Sequence, residues 1–365
     1  MTISRKYNPI APFIALLLPT LVLLLGIGLS SPDKIFSLRS ISTTSSTLRK
    51  VAGSKNDLVH TAKWLFGHLS SRNRLTMVNT TPSKKGDVYF LSHGGPPTIE
   101  QTHSAPYKAW QRIGQMINSD PPKGIVVISA HWENDTGFKG SESVIVNSNK
   151  SNPLIYDFYG FPKHYYQFKF VSSFTPELEA SVISALQEGG VSFTRADRGL
   201  DHGVWVPFKA ALGDKTSIPI IQVSLPGSAD PRATIKLGQA LSRVREDGYS
   251  VVTTGQAVHN LRDLFSGRRM PYTKPFLTLL NTALSSDDAI ASTVDLLKSP
   301  LYKHAHPTDE HFFPIFAALG ALSSDTTKVK KDKKEDIFVG VVDGNGQPAQ
   351  DEGLGWGMWR WTAAS

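Results

Sequence analysis

Residues 124–131 read GIVVISAH. Four consecutive β-branched apolar residues stand between a glycine and a serine, with no polar alternation. A strand exposed on one face alternates, whereas a run apolar throughout suits a strand buried on both faces, as in the parallel interior of an α/β sheet. The run delivers its end to a histidine, His131. Working outward, similar strands are predicted at 87–91 (DVYFL), 218–225 (IPIIQVSL), 249–254 (YSVVTT) and 337–342 (IFVGVV). Between them, helices are predicted at 107–118, 175–188, 233–246, 275–285, 287–298 and 312–322. Pro176 suits a first helical position, and Gly189, Gly190 and Gly248 suit helix ends. Strands separated by helices predict an α/β fold, a single domain with a central mixed sheet flanked by helices. No internal repeat of 20–50 residues interrupts it, and 323–336 (SSDTTKVKKDKKED) reads as a charged, solvated loop.

The strand ends carry the chemistry. His93 follows the strand DVYFLS, His131 follows GIVVISA, and His259 follows SVVTTGQAV. In open α/β folds, ligands bind outside the carboxyl ends of the strands, so three histidines distant in sequence converge on one edge. His202 precedes a helix, and His311 follows a Pro-Thr-Asp-Glu turn ahead of 312–322. A lone histidine is more often a hydrogen-bonded structural residue than a ligand; it is the coincidence of positions that points to a site. His103, His164 and His304 fall in loops without that pattern. His306 either lines the same cavity or is a turn residue beside Pro307. Neutral imidazoles bind Fe(II) and Zn(II) comparably well. Three protein ligands leave coordination positions open, while a closed structural zinc site needs a fourth, so the pattern reads as catalytic.

Composition narrows the partners. The chain has 365 residues and no cysteine, which excludes disulfides, Cys-ligated zinc, iron–sulfur clusters and thiol catalysis. Residues 1–80 hold ten Lys/Arg against two acids, whereas 81–365 hold 29 of each sign. The basic excess therefore belongs to the leader, and a nucleic-acid footprint on the body is not expected. Residues 10–29, IAPFIALLLPTLVLLLGIGL, are long enough to cross a bilayer core of roughly 30 Å. An N-terminal hydrophobic leader is thus expected at 1–30, read as a transmembrane anchor, a cleaved signal or an organelle-targeting segment, followed by a basic Ser/Thr-rich linker at 31–80 and a catalytic domain at 81–365. This places the protein at a membrane or in an organelle; translation from Met77 would instead give a cytoplasmic form.

Six segments occur in order: LSHGGPP (91–97), SAHW (129–132), DFYGFP (157–162), LDHGVW (200–205), VHNL (258–261) and HPTDEHF (306–312). Together they resemble the class III (LigB-type) extradiol ring-cleaving dioxygenases, nearest the DOPA 4,5-dioxygenase-like branch, over roughly residues 86–345. The resemblance implies a non-haem Fe(II) or Zn(II) site. His93 and His131 match metal ligands, and His311 matches the third ligand of this branch, with Glu310 the reserve. His259 matches the position that serves as catalytic base in some members and as a fourth metal contact in others. His202 matches a histidine one layer out, near substrate and dioxygen, suited to donate a proton. Phe158, Phe161 and Trp132 either wall the substrate pocket or pack the core. The implied reaction inserts both atoms of dioxygen into a DOPA-like catechol with extradiol cleavage. Coordination lowers a phenol pKa from about 10, so an imidazole near its ordinary value of roughly 6.5 takes the proton. A zinc-dependent hydrolase on the same scaffold and a non-enzymatic Memo-like binding protein use the same motifs.

Overall fold

The computed structural model describes residues 84–134, 141–322 and 332–363, all within one unit, Thr81–Ser365. Eight strands form one sheet: β1 (Val88–Ser92), β2 (Ile125–Glu133), β3 (Val144–Asn147), β4 (Phe193–Ala196), β5 (Ile220–Leu225), β6 (Ser250–Gly255), β7 (Lys333–Val342) and β8 (Leu354–Thr362). Their spatial order is β4-β3-β5-β2-β6-β1-β8-β7. The inner four, β5, β2, β6 and β1, are parallel. β3 joins β5 antiparallel, and β8 pairs antiparallel with both β1 and β7, so the sheet is mixed.

Every residue of β1, β5 and β6 is buried, as is β2 through Ala130. That is why these segments carry no polar alternation: helices cover both faces. Among the described residues six helices have nine or more residues: α1 (Ala105–Ser119), α2 (Pro176–Glu188), α3 (His202–Leu212), α4 (Pro231–Glu246), α5 (Thr273–Leu284) and α6 (Pro314–Leu322). α1 and α3 supply Trp110, Ile113, Trp205 and Phe208 to the core on one face. α2, α4, α5 and α6 supply Leu178, Leu241, Phe276 and Phe316 to the other. Each such side chain contributes roughly 1.5–3 kcal/mol on burial. The helix starts are chemically marked. Ser104 and Thr175 each accept a backbone N–H of the first turn, from Tyr107 and Leu178, and Asp230 accepts that of Arg232.

The α/β class and the central mixed sheet between helices are as expected. Three strands escaped the sequence reading: β3, β4 and β8. Lys333–Asp336, read as part of a charged loop, instead open β7, where Lys333 pairs with Thr362 and Asp336 with Trp359. A membrane-spanning segment is the expectation that fails. Among the described residues no helix is long and apolar enough to cross a membrane. The transmembrane reading, and the single-pass membrane placement built on it, are corrected accordingly. Residues 10–29, the 31–80 linker, Met77, His60 and His68 lie outside the described residues.

Candidate metal centre

Register brings the histidines to one level. Ser92 of β1 lies opposite Gly255 of β6, and Ser129 of β2 opposite Thr254, so the segments that follow leave the sheet side by side. His93 directly follows β1, with its backbone N–H on the Gly255 carbonyl at 3.1 Å. His131 sits in an irregular end of β2: from Ile128 to Glu133 that strand advances five residues while β5 advances two, from Val223 to Leu225. Such bulges re-aim side chains beside active sites. Asp201 holds this bulge from below. Fully buried, it accepts Ser129 Oγ–H at 2.7 Å, Gln222 Nε2–H at 2.6 Å and Arg198 Nη1–H at 3.1 Å. Ser129 Oγ in turn accepts the His131 backbone N–H at 3.1 Å.

The later histidines arrive through backbone stitching. Segment 302–311 is tied to 255–260 by His259 N–H on the Ala305 carbonyl at 2.9 Å and Gln256 N–H on the His311 carbonyl at 2.9 Å. The Asn260 amide also donates to the His304 carbonyl at 2.8 Å. Gly255 is required for this crossing, since a Cβ there would lie 2.3 Å from the His311 carbonyl oxygen. His306 is fully buried among Phe276, Tyr302 and Phe312, with Nε2 3.0 Å from the Ala257 carbonyl. It is thus a packed support for the strand-end loop, which is neither of its two sequence readings.

The five singled-out histidines do come together. His93 Nε2 lies 3.1 Å from His131 Nε2, which lies 3.2 Å from His311 Nε2. Two nitrogens held by one divalent ion at about 2.0–2.1 Å stand roughly 3 Å apart. The ring of His202 is centred 4.0 Å from that of His131. The ring of His259 stacks flat on His311 at 3.5 Å and 8°. Ligating atoms of His93, His131 and His202 fall within 4.8 Å of one another, as do those of His259, Glu310 and His311. Glu310 Oε1 is 2.9 Å from Nδ1 of His311. Asp157, quoted in the sequence without a role, places Oδ2 3.3 Å from His131 Nδ1 and Oδ1 3.0 Å from His202 Nδ1.

Other expected site residues are distributed more loosely. Phe158 is buried with its ring edge-on to His202 at 5.8 Å, and Phe161 packs on Phe158 at 5.4 Å. Trp132 lies under the Arg198 guanidinium at 4.4 Å. His103 and His164 are exposed, near the Asn345 carbonyl and Glu100 respectively, and His304 stacks on Tyr272. A cleft of about 460 Å³ between α5 and β7, lined by Lys274, Asn281 and Phe338 among others, carries no histidine.

Burial decides the charge state. It pushes His93 and His311 well below the ordinary histidine value, with neighbouring imidazoles adding to the effect. It pulls His259 down to about 4 against the opposing pull of Glu310, and His306 down to about 3 against its bond to the Ala257 carbonyl. His131 is likewise lowered, by burial and by His202. Burial works to raise the Asp157 carboxyl, but His202 and His131 outweigh it and hold that group at about 2. The site is therefore a group of neutral nitrogen donors with a carboxylate behind, the protonation state that binds a divalent cation. The lowered values have a consequence for the metal-free protein. Between about pH 6.5 and pH 4 the unfolded chain binds more protons than the folded one, so stability falls as pH falls through that window. The expected loss is on the order of 1–2 kcal/mol per buried imidazole by pH 5, read as a lower urea midpoint at pH 5 than at pH 7. An unchanged midpoint would contradict the buried neutral cluster.

With this geometry in view, comparison with known proteins is direct. The family model for the catalytic LigB subunit of aromatic ring-opening dioxygenase matches residues 87–340. The chain belongs to the LigB family. The protein is thus a non-haem, metal-dependent extradiol dioxygenase, related to the 4,5-DOPA dioxygenase branch, with Fe(II) or Zn(II) as the cofactor its histidine cluster accepts. Use of a catechol and dioxygen is consistent with that family. This LigB-type chain is 37% identical over 232 residues to a 4,5-DOPA dioxygenase extradiol-like protein of Schizosaccharomyces pombe, covering 61% of this chain and 76% of the relative. It is 34% identical over 244 residues to the 4,5-DOPA dioxygenase extradiol of Beta vulgaris, covering 66% and 88%. A crystal structure of an uncharacterised Escherichia coli K12 protein shares the fold, with a TM-score of 0.53 and 22% identity over 75% of this chain and 99% of that one.

One glycine in this LigB-type site is under tight constraint. A Cβ on Gly203 would lie 2.5 Å from Ser129 Oγ and 2.9 Å from His131 Cδ2. Gly203→Ala is expected to displace the His131 ring, costing about 1–3 kcal/mol as overpacking and weakening metal binding more than the melting temperature suggests. Wild-type affinity in a metal titration would show that the ring has room.

Proposed function

We propose that residues 81–365 are the catalytic domain and that it opens a DOPA-like catechol at the extradiol bond, with both atoms of dioxygen entering the product. The observation that carries this reading is the meeting of the His93, His131 and His311 Nε2 atoms within 3.1–3.2 Å links, in a chain similar to proteins named for 4,5-DOPA cleavage. Those three imidazoles hold the ion in this reading. Glu310 supports His311 rather than replacing it, because its carboxylate already engages His311 Nδ1. Bound there, a divalent ion supplies Lewis acidity toward the catechol hydroxyls and, as Fe(II) but not as redox-inert Zn(II), electron exchange with dioxygen.

The remaining roles follow from position. His259, neutral and stacked on His311, accepts the catechol proton. With its value near 4 it is a weaker base than a free imidazole, so it would take a proton only from a hydroxyl more acidic than that of a free phenol. His202 sits against His131 on the other flank and supplies a hydrogen bond or a proton to the oxygen entering the ring. Phe158 and Phe161 wall the ring side of the substrate, and Trp132 backs Arg198.

The test is anaerobic loading with Fe(II), followed by oxygen uptake on adding L-DOPA or simpler catechols. One O₂ consumed per yellow ring-opened product is expected. Ester or amide hydrolysis with zinc alone and no oxygen uptake would favour a hydrolase instead.

A further inference from the structure

We propose that Asp157 is a positioning residue that fixes the metal ligand His131 and its neighbour His202 as a single unit. This deepens the three-histidine reading above and rests on it. One carboxylate faces both rings: Oδ2 stands 3.3 Å from His131 Nδ1, and Oδ1 stands 3.0 Å from His202 Nδ1. Both contacts are close approaches of unlike groups rather than directed hydrogen bonds. The directed bond to Oδ1 comes from the His202 backbone N–H, at 2.9 Å.

The carboxylate is itself held in place by the fold. Its loop is stitched to the start of α3 by Ile155 N–H on the Leu200 carbonyl at 2.8 Å and by Trp205 Nε1–H on the Ile155 carbonyl at 3.0 Å. Tyr156 donates its hydroxyl to the Phe168 carbonyl at 2.6 Å and packs on Trp205. Asp157 therefore meets the two rings from a preset position.

Two consequences follow for this chain's own residues. A carboxylate beside Nδ1 holds the proton on that nitrogen and leaves Nε2 bare toward the ion. It also supplies negative charge that three neutral imidazoles lack. Glu310 does the same for His311, whereas His93 Nδ1 is buried without a hydrogen-bond partner. Charge on the metal is thus balanced one layer out, from two sides, rather than by a ligating carboxylate.

The experiment uses the full chain and Co(II), whose visible spectrum reports the ligand field independently of turnover. Asp157→Asn keeps the shape and an acceptor for the His202 backbone but removes the charge. Co(II) affinity is expected to fall about 10–100-fold, with altered visible bands and little change in the melting temperature of the metal-free protein. Wild-type affinity and bands in Asp157→Asn would overturn the inference. His93→Ala, run in parallel, separates the two levels. If it loses Co(II) while Asp157→Asn binds normally, the Asp157 role fails and the three-histidine reading stands; if it binds Co(II) like wild type, the reading beneath fails. Should Asp157→Asn not fold, imidazole ¹⁵N shifts of Zn(II)-loaded wild-type protein decide. Nδ1–H on His131 and His202 is expected, and a proton on His131 Nε2 would overturn the assignment.

Discussion

Replacing His93 with alanine is expected to yield a folded chain that holds no metal and opens no ring. His93 is buried at the end of β1, and its Nε2 lies 3.1 Å from that of His131. Its backbone bond to Gly255 does not involve the side chain, so the sheet edge survives the substitution. What is lost is one of three converging donors, and with it more than the roughly 10–100-fold in affinity that an outer-layer partner contributes. Metal content by elemental analysis should drop from near one ion per chain to near none, with oxygen uptake falling in step. Full retention of the ion would remove His93 from the coordination set.

His259→Ala is expected to separate metal binding from chemistry. The His259 ring lies flat against His311 rather than between the Nε2 atoms of His93, His131 and His311. Loss of a positioned proton acceptor commonly costs 10²–10⁴-fold in rate. The variant should keep its ion and still bind catechol while ring opening falls by about that factor. Loss of the ion would recast His259 as a ligand.

Much of this was legible in the sequence because burial writes itself into apolar runs. The interior strands β1, β2, β5 and β6 are covered on both faces, so their segments are continuous and β-branched, and the histidines at their ends stood out. The missed strands lacked that mark. β3 and β4 have four residues each, and β4 is half exposed. β8, LGWGMWRWT, breaks its run with two glycines and an arginine. Lys333–Asp336 read as solvated because four charged residues side by side usually are; here they extend a sheet-edge hairpin. At the site, sequence singled out the imidazoles but not what lies behind them. Asp157 meets His131 across 26 positions of chain and His202 across 45, through a loop packed on α3. Only the folded backbone brings those groups together. The expected base strength of His259 was likewise off, since the lowering to about 4 comes from burial. The reading of 10–29 concerns residues the structure does not describe.

The most direct test of the central claim is X-ray absorption at the iron edge on Fe(II)-loaded protein, with anomalous diffraction to place the ion. One iron is expected with imidazole nitrogens of His93, His131 and His311 at about 2.0–2.2 Å, and with Asp157 and Glu310 outside bonding range. An ion bound through the Glu310 carboxylate in place of His311, or seated away from these three rings, would contradict it.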